Sequence, residues 1–191
     1  AAAEELGCEL VIWLDVGGDA IAAGDEPGLA SPLCDALMLA AAARSAAAGL
    51  AALGAVFGAG CDAELTPAEV LGRVAVLAAA GSWLGTSGMS PAVADELIAA
   101  AAAVPTEASL QAARCAKGET GDAPIRGGRR TVSMGPVGAL TFFFDPLAGP
   151  ESLPLAHAVA DAPNLEAARQ ALAALGIRTE LDYERDRAAE T

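Results

Sequence analysis

Aromatic side chains make up only 4% of the chain, which leaves no stock of rings for stacking single-stranded bases. Basic residues are equally short: 11 Lys and Arg against 25 Asp and Glu give a net charge of −14. No basic footprint exists to displace counterions from a duplex, so no nucleic-acid partner is expected. There is one histidine, His157, and the cysteines Cys8, Cys34, Cys61 and Cys115 form neither a CxxC pair nor a zinc-ligand spacing. They read as buried free thiols of a reducing, cytoplasmic setting. No basic segment precedes an apolar run at the N-terminus, so no signal peptide is expected. The one stretch resembling a membrane span, residues 36–60, carries Arg44 and Ser45 at its middle and is mostly alanine. A buried helix followed by a buried strand explains it better, and no membrane contact is expected.

What is present is apolar and small. Hydrophobic residues reach 54% with a mean hydropathy of +0.43, and fifty residues are alanine. These values exclude a disordered chain and a charge-rich tail protein, and 191 residues suffice for one core. Ten arginines against one lysine, beside so much Ala and Gly, suggest GC-rich coding. Residues 1–70 hold eleven acidic residues and one basic, whereas residues 71–191 hold fourteen and ten, so the two parts face different surroundings.

Leu10-Val11-Ile12-Trp13-Leu14 is apolar at every position, the pattern of a strand buried on both faces of a parallel sheet. Ser31-Pro32 opens a helix reaching about Gly49, Leu53 to Phe57 reads as a second strand, and Thr66-Pro67-Ala68-Glu69 spells a capping box. Strand, loop, helix, strand, loop, helix predicts parallel crossover units, hence a Rossmann-like, three-layer parallel α/β sheet. Residues 91–103 and 106–117 read as two Ala-rich helices, Arg129 to Met134 and Leu140 to Phe144 as strands, and Asn164 to Leu175 as a helix. Ile177 to Leu181 reads as a last strand and 182–191 as a frayed tail. The expected organisation is a single α/β domain, with a strand-helix core over 1–89, a helical insertion over 90–118 and C-terminal strands and helix over 119–191. Because the chain enters a central strand almost at once, it reads as the C-terminal part of a longer polypeptide.

Ligands of such sheets bind beyond the carboxyl ends of the strands, so the loops after Leu14 and Phe57 are the default site. The first holds Asp15, Gly17, Gly18 and Asp19; the second holds Gly58, Gly60, Asp62 and Glu64. Acids beside glycine turns suit general-base work, sugar hydroxyls or an oxygen-ligated cation such as Mg²⁺, though turn residues and helix caps have the same composition. Asp15 and Asp19 are the catalytic candidates. Gly17, Gly18, Ser31, Asp35, Gly58 and Asp62 are ligand-binding candidates, with Ser31 and Asp35 also suited to capping a helix. Neither loop is a GxGxxG or P-loop motif. An anion near the helix amides would require compensating charge, and the three guanidiniums of Arg126-Gly127-Gly128-Arg129-Arg130, Arg126 and Arg129 as ligand-binding candidates, could form an arginine clamp; the alternative is a solvated loop making surface ion pairs with the acidic half. Trp13 and Trp83 read as core or interface aromatics, and His157 as structural.

The stretches Asp15-Val16-Gly17-Gly18-Asp19, Gly28-Leu29-Ala30-Ser31-Pro32-Leu33 with Asp35-Ala36-Leu37, Pro105-Thr106-Glu107-Ala108-Ser109, Ile125-Arg126-Gly127-Gly128-Arg129-Arg130-Thr131-Val132, and Arg178-Thr179-Glu180-Leu181-Asp182-Tyr183-Glu184 together resemble the domain-of-unknown-function family numbered 1152 of archaea and actinobacteria. The resemblance spans nearly the whole chain. It implies a Rossmann-like α/β protein, with a further Gly-rich, acid-ended loop in an N-terminal half not found here, and it supplies no function. The residues themselves lead to an expected metabolic enzyme acting on a small polar or phosphorylated metabolite of nucleotide or sugar type. The alternative is a non-catalytic ligand-binding or assembly protein, a homo-oligomer among its forms.

Overall fold

The structure, a computed structural model, describes residues 2–189. A short helix α1 (Ala2–Glu5) leads into β1 (Val11–Val16), then α2 (Pro32–Ala47), β2 (Ala52–Phe57), α3 (Pro67–Ala79) and β3 (Trp83–Gly88). The helical pair α4 (Pro91–Ala103) and α5 (Glu107–Ala116) follows, then the hairpin β4 (Gly121–Ile125) and β5 (Arg130–Met134), β6 (Leu140–Phe144), and helices α6 (Pro154–Val159), α7 (Leu165–Ala174) and α8 (Glu180–Ala189). Local chemistry sets many of these boundaries. Thr66 and Glu69 form the expected capping box, with the Glu69 N–H donating to Thr66 Oγ1 at 3.2 Å and the Thr66 N–H donating to Glu69 Oε2 at 2.6 Å. Asn164 Oδ1 accepts from the Ala167 N–H at the start of α7.

The main sheet has the order β1-β2-β6-β3. β1 and β2 pair in parallel, as the crossover through α2 requires, but β6 lies antiparallel between β2 and β3. The sheet is therefore mixed and not the all-parallel one expected. A local pattern of strand and helix cannot report where a later strand will insert. β4 and β5 form a separate antiparallel hairpin against α5.

One face of the sheet is covered. Val56, Phe142 and Phe144 pack with Leu33 and Leu39 of α2, Val70 and Leu77 of α3, Leu155 and Val159 of α6, and Leu172 of α7. The opposite face is covered only in part, Phe57 packing on the cluster around Cys61 and Ala112, so the expected three-layer arrangement is not confirmed. Ile12 and Leu14 on β1 are 47% and 55% exposed; in register with them stand half-buried Leu53 and buried Ala55 on β2 and then half-buried Phe143 on β6. α4 approaches only one end of this face, where an apolar groove of about 570 Å³ runs between Leu14, Val16 and Phe57 on the sheet and Val93, Leu97 and Ala100 on α4.

Three further expectations fail. Ile177 to Leu181 is not a strand: Ile177 is buried, and Thr179 starts α8 with its N–H and Oγ1 both donating to Asp182 Oδ2 at 2.9 Å. The expected frayed tail is that helix as far as Ala189, residues 190 and 191 lying outside the described part. Cys61 and Cys115 are buried as expected, but Cys8 and Cys34 are exposed. No helix among the described residues is long and apolar enough to cross a membrane.

Candidate functional site

The parallel β1-β2 pair brings the two acidic loops side by side. Asp15 is the penultimate residue of β1 and points to the helix-covered side, in register with buried Val56. Beyond it Gly17 and Gly18 adopt φ of 123° and 126°, values that L side chains rarely reach, and turn the chain into a 3-10 turn over Asp19–Ile21. The loops are stitched together: Gly17 N–H donates to the Phe57 carbonyl at 3.0 Å, and Gly60 N–H donates to the Gly17 carbonyl at 2.8 Å. A Cβ on Gly17 would lie 2.1 Å from Cγ of Asp62, so the absent side chain is what admits that carboxylate.

The result is a nest of acids. Carboxylate oxygens of Asp15, Asp19 and Asp35 lie within 4.8 Å of one another, as do those of Asp19, Asp62 and Glu64, with Asp19 common to both groups. Asp15, Asp19, Asp62 and Glu64 are buried, Asp19 being only 3% exposed. The partners of the Asp19 carboxyl are other acids, Asp15 and Asp35. Asp15 accepts from the Ala20 N–H at 3.3 Å and Asp62 from the Glu64 N–H at 3.1 Å.

Burial pushes the carboxyl of Asp62 up to about 7, the adjoining Glu64 charge adding to it, while the Glu64 N–H and Arg130 oppose the rise. Asp15 and Asp19 are raised further, first by desolvation and then by neighbouring carboxylates, Asp35 and Asp62 for the former and Asp15, Asp35, Asp62 and Glu64 for the latter. Asp35, half-buried in the first turn of α2, is raised by burial, by Glu180 and by Glu64. Beside the nest lies a cavity of about 70 Å³ lined by Trp13, Asp15, Ala20, Asp35 and Met38. The buried indole Nε1 of Trp13 has no hydrogen-bond partner.

Other sequence candidates have different places. Ser31 precedes α2 without capping it through its own side chain; its N–H donates to Glu64 Oε2 at 2.8 Å and its Oγ to Glu64 Oε1 at 2.5 Å. The first amides of α2 are taken by Glu180, which accepts from Leu33 and Cys34 at 3.1 and 2.8 Å. Protein carboxylates thus occupy the amides near which a bound anion would require compensating charge. Gly58 packs on Ala112, where a Cβ would fall 2.8 Å from that methyl, and it supports the loop from outside the nest.

Arg126 and Arg129 are exposed, the first donating its N–H to Glu107 and the second its Nε to the Arg126 carbonyl. Neither side chain makes an ion pair with the acids of the nest. Only their neighbour Arg130 reaches the acids, at 3.5 Å from Glu64 Oε1, with a hydrogen bond to the Ala63 carbonyl. Arg130 begins β5 and is half-buried, whereas Arg126 and Arg129 belong to the turn before it. Sequence reasoning missed Glu180, which comes from the far end of the chain with no local signal. His157 Nε2 lies 2.9 Å from the Ala148 carbonyl, consistent with its structural reading.

No curated protein and no solved structure matches the chain. The family profile described as a protein of unknown function, DUF1152, matches residues 1–188, essentially the whole chain, and the chain belongs to that family.

Proposed function

We propose that the acid nest is a site for a hard divalent cation, Mg²⁺ or Mn²⁺, through which the protein engages a small polar or phosphorylated metabolite. The observation that carries this reading is Asp19, 3% exposed and set among four other carboxyls, with Arg130 the guanidinium in contact with the group. Buried carboxylates without a counter-charge are costly; they are either protonated or paired with a cation. A donor set made only of carboxylate oxygen suits Mg²⁺, Mn²⁺ or Ca²⁺ rather than zinc. A bound cation neutralises the nest and presents positive charge toward an anionic ligand, which the −14 chain would otherwise repel.

The parallel β1-α2-β2 unit, with its loops at the carboxyl ends of the strands, supports a Rossmann-like mode of ligand binding. A cytoplasmic, reducing location accords with four free cysteines. Titration calorimetry with MnCl₂ tests the reading, followed by thermal melts with nucleotides and sugar phosphates in the presence of Mn²⁺. Saturable Mn²⁺ binding that Asp19→Asn abolishes supports it; absence of heat and of any melting shift at millimolar Mn²⁺ refutes it. The exposed pair Ile12 and Leu14 on β1 favours a second reading, self-association, which light scattering across a concentration series decides.

A further inference from the structure

Cys61 and Cys115 come from distant parts of the chain, the loop after β2 and the last turn of α5, and both are buried, at 1% and 4% exposure. They converge on Gly138. A Cβ built there would lie 2.8 Å from the Cys115 sulfur and 3.0 Å from the Cys61 sulfur, so the missing side chain is what lets both thiols approach one point. Cys61 is also the immediate neighbour of Asp62, and its N–H is tied to the Gly58 carbonyl at 2.8 Å.

We propose that Cys61 and Cys115 form a reversible disulfide that ties the Asp62-Glu64 loop to α5 and weakens cation binding in the acid nest. This regulation rests on the cation reading given above. Burial limits the oxidant to a small one, and hydrogen peroxide suffices. The Cys115 sulfur, the less buried of the two, attacks a peroxide oxygen; the O–O bond breaks, one water leaves and a sulfenic acid remains. The Cys61 sulfur then attacks that sulfur, the S–S bond forms, the S–O bond breaks and a second water leaves. Two thiols are oxidised and one peroxide is reduced to two waters.

A disulfide of about 2.05 Å demands closer approach than two thiols keep. The hairpin and the 3-10 turn Pro136–Ala139 both pack on α5, so the shift falls on the loop. Asp62 moves with Cys61, and because its carboxylate already fills the space above Gly17, its displacement removes a ligand from the nest.

Tryptic cleavage makes the test clean. Cutting after Arg44, Arg73, Arg114 and Lys117 puts Cys61 in peptide 45–73 and Cys115 in peptide 115–117, while Cys8 and Cys34 remain upstream. The whole chain is oxidised with hydrogen peroxide, alkylated and mapped without reductant, and MnCl₂ is titrated into the reduced, oxidised and dithiothreitol-recovered protein. The expected result is a linked 45–73/115–117 pair with Mn²⁺ affinity at least about tenfold weaker on oxidation and restored by dithiothreitol. Cys115→Ala should bind Mn²⁺ like the reduced protein and lose the response to peroxide. If that variant does not fold, the peptide map and the recovery in the natural sequence still decide. Mn²⁺ binding by the reduced protein without a linked pair overturns the inference and leaves the cation reading standing. A linked pair with unchanged Mn²⁺ affinity also overturns it. Absence of Mn²⁺ binding in every form overturns the cation reading, and the regulation with it.

Discussion

Asp19→Asn should stabilise the cation-free protein at neutral pH while destroying cation binding, a combination that an ordinary buried acid would not give. The Asp19 carboxyl is held far above its ordinary 3.8 by burial and by Asp15, Asp35, Asp62 and Glu64. Between about pH 4 and neutrality the folded chain therefore keeps a proton that the unfolded chain releases. Stability is complete below the unfolded value and falls as pH rises, by about 1.4 kcal/mol per pH unit for each such group. From about pH 5 to about pH 7 Asp19 alone accounts for roughly 3 kcal/mol, or about 5–10 °C in melting temperature for a domain of this size. Asp62, raised to about 7, and Asp15 add to the fall in the same direction. Acids held low, Glu166 at about 2 and Asp182, act only below about pH 4 and stay out of this window. Asparagine carries no proton to lose and can donate to Asp15 and Asp35 as the protonated acid does. Circular-dichroism melts in EDTA should show the natural protein losing stability from about pH 5 to about pH 7, and the variant losing about 5–10 °C less. MnCl₂ should raise the melting temperature of the natural protein alone. A natural protein whose melting temperature is flat or rising over that interval in EDTA, or a variant less stable than it at neutral pH, would refute the reasoning.

Gly17→Ala forces a Cβ to within 2.1 Å of the Asp62 carboxylate at a φ of 123°, so urea unfolding should show a loss of more than about 2 kcal/mol along with loss of Mn²⁺ binding. Glu64→Ala strips the acceptor from the Ala30 and Ser31 N–H groups and the Ser31 hydroxyl and should cost about 2–4 kcal/mol in the same assay, with Glu64→Gln recovering part of it. Thr66→Ala removes the α3 capping box and should cost about 1 kcal/mol with Mn²⁺ affinity unchanged, separating helix stability from the nest. Leu14→Ser, on the open sheet face, should change stability by less than about 1 kcal/mol while lowering any self-association measured by light scattering.

The acids of the nest were legible because their positions follow from short-range rules. A strand followed at once by Asp15, Gly17, Gly18 and Asp19 must end where its parallel partner ends, and that partner brings Asp62 and Glu64 with it. The caps at Thr66 and Asn164 were legible for the same reason, since each is written within four residues. What stayed hidden depends on partners distant in sequence. Glu180 serves the first turn of α2 from the last helix, and β6 inserts antiparallel between β2 and β3 although nothing within Leu140 to Phe144 specifies direction. Arg130 was indistinguishable from Arg126 and Arg129 by composition and differs only in opening a strand, where one half-buried position points at Glu64 while the turn before it stays in solvent.

The run from Leu10 to Leu14 is the instructive failure. It is apolar at every position, which correctly states that both faces of β1 favour burial; Trp13 packs against the core while Ile12 and Leu14 stand exposed on the other side. The sequence pattern thus describes an environment that this chain supplies only in part, with α4 reaching one end of the face and Ile12 and Leu14 left exposed. Exposed side chains of that size on β1 forgo part of the roughly 1.5–3 kcal/mol that full burial of each would contribute. The mismatch between an apolar strand and a one-sided cover therefore carries physical information of its own, and it is the reason the self-association reading rests on β1 rather than on the Ala-rich helices.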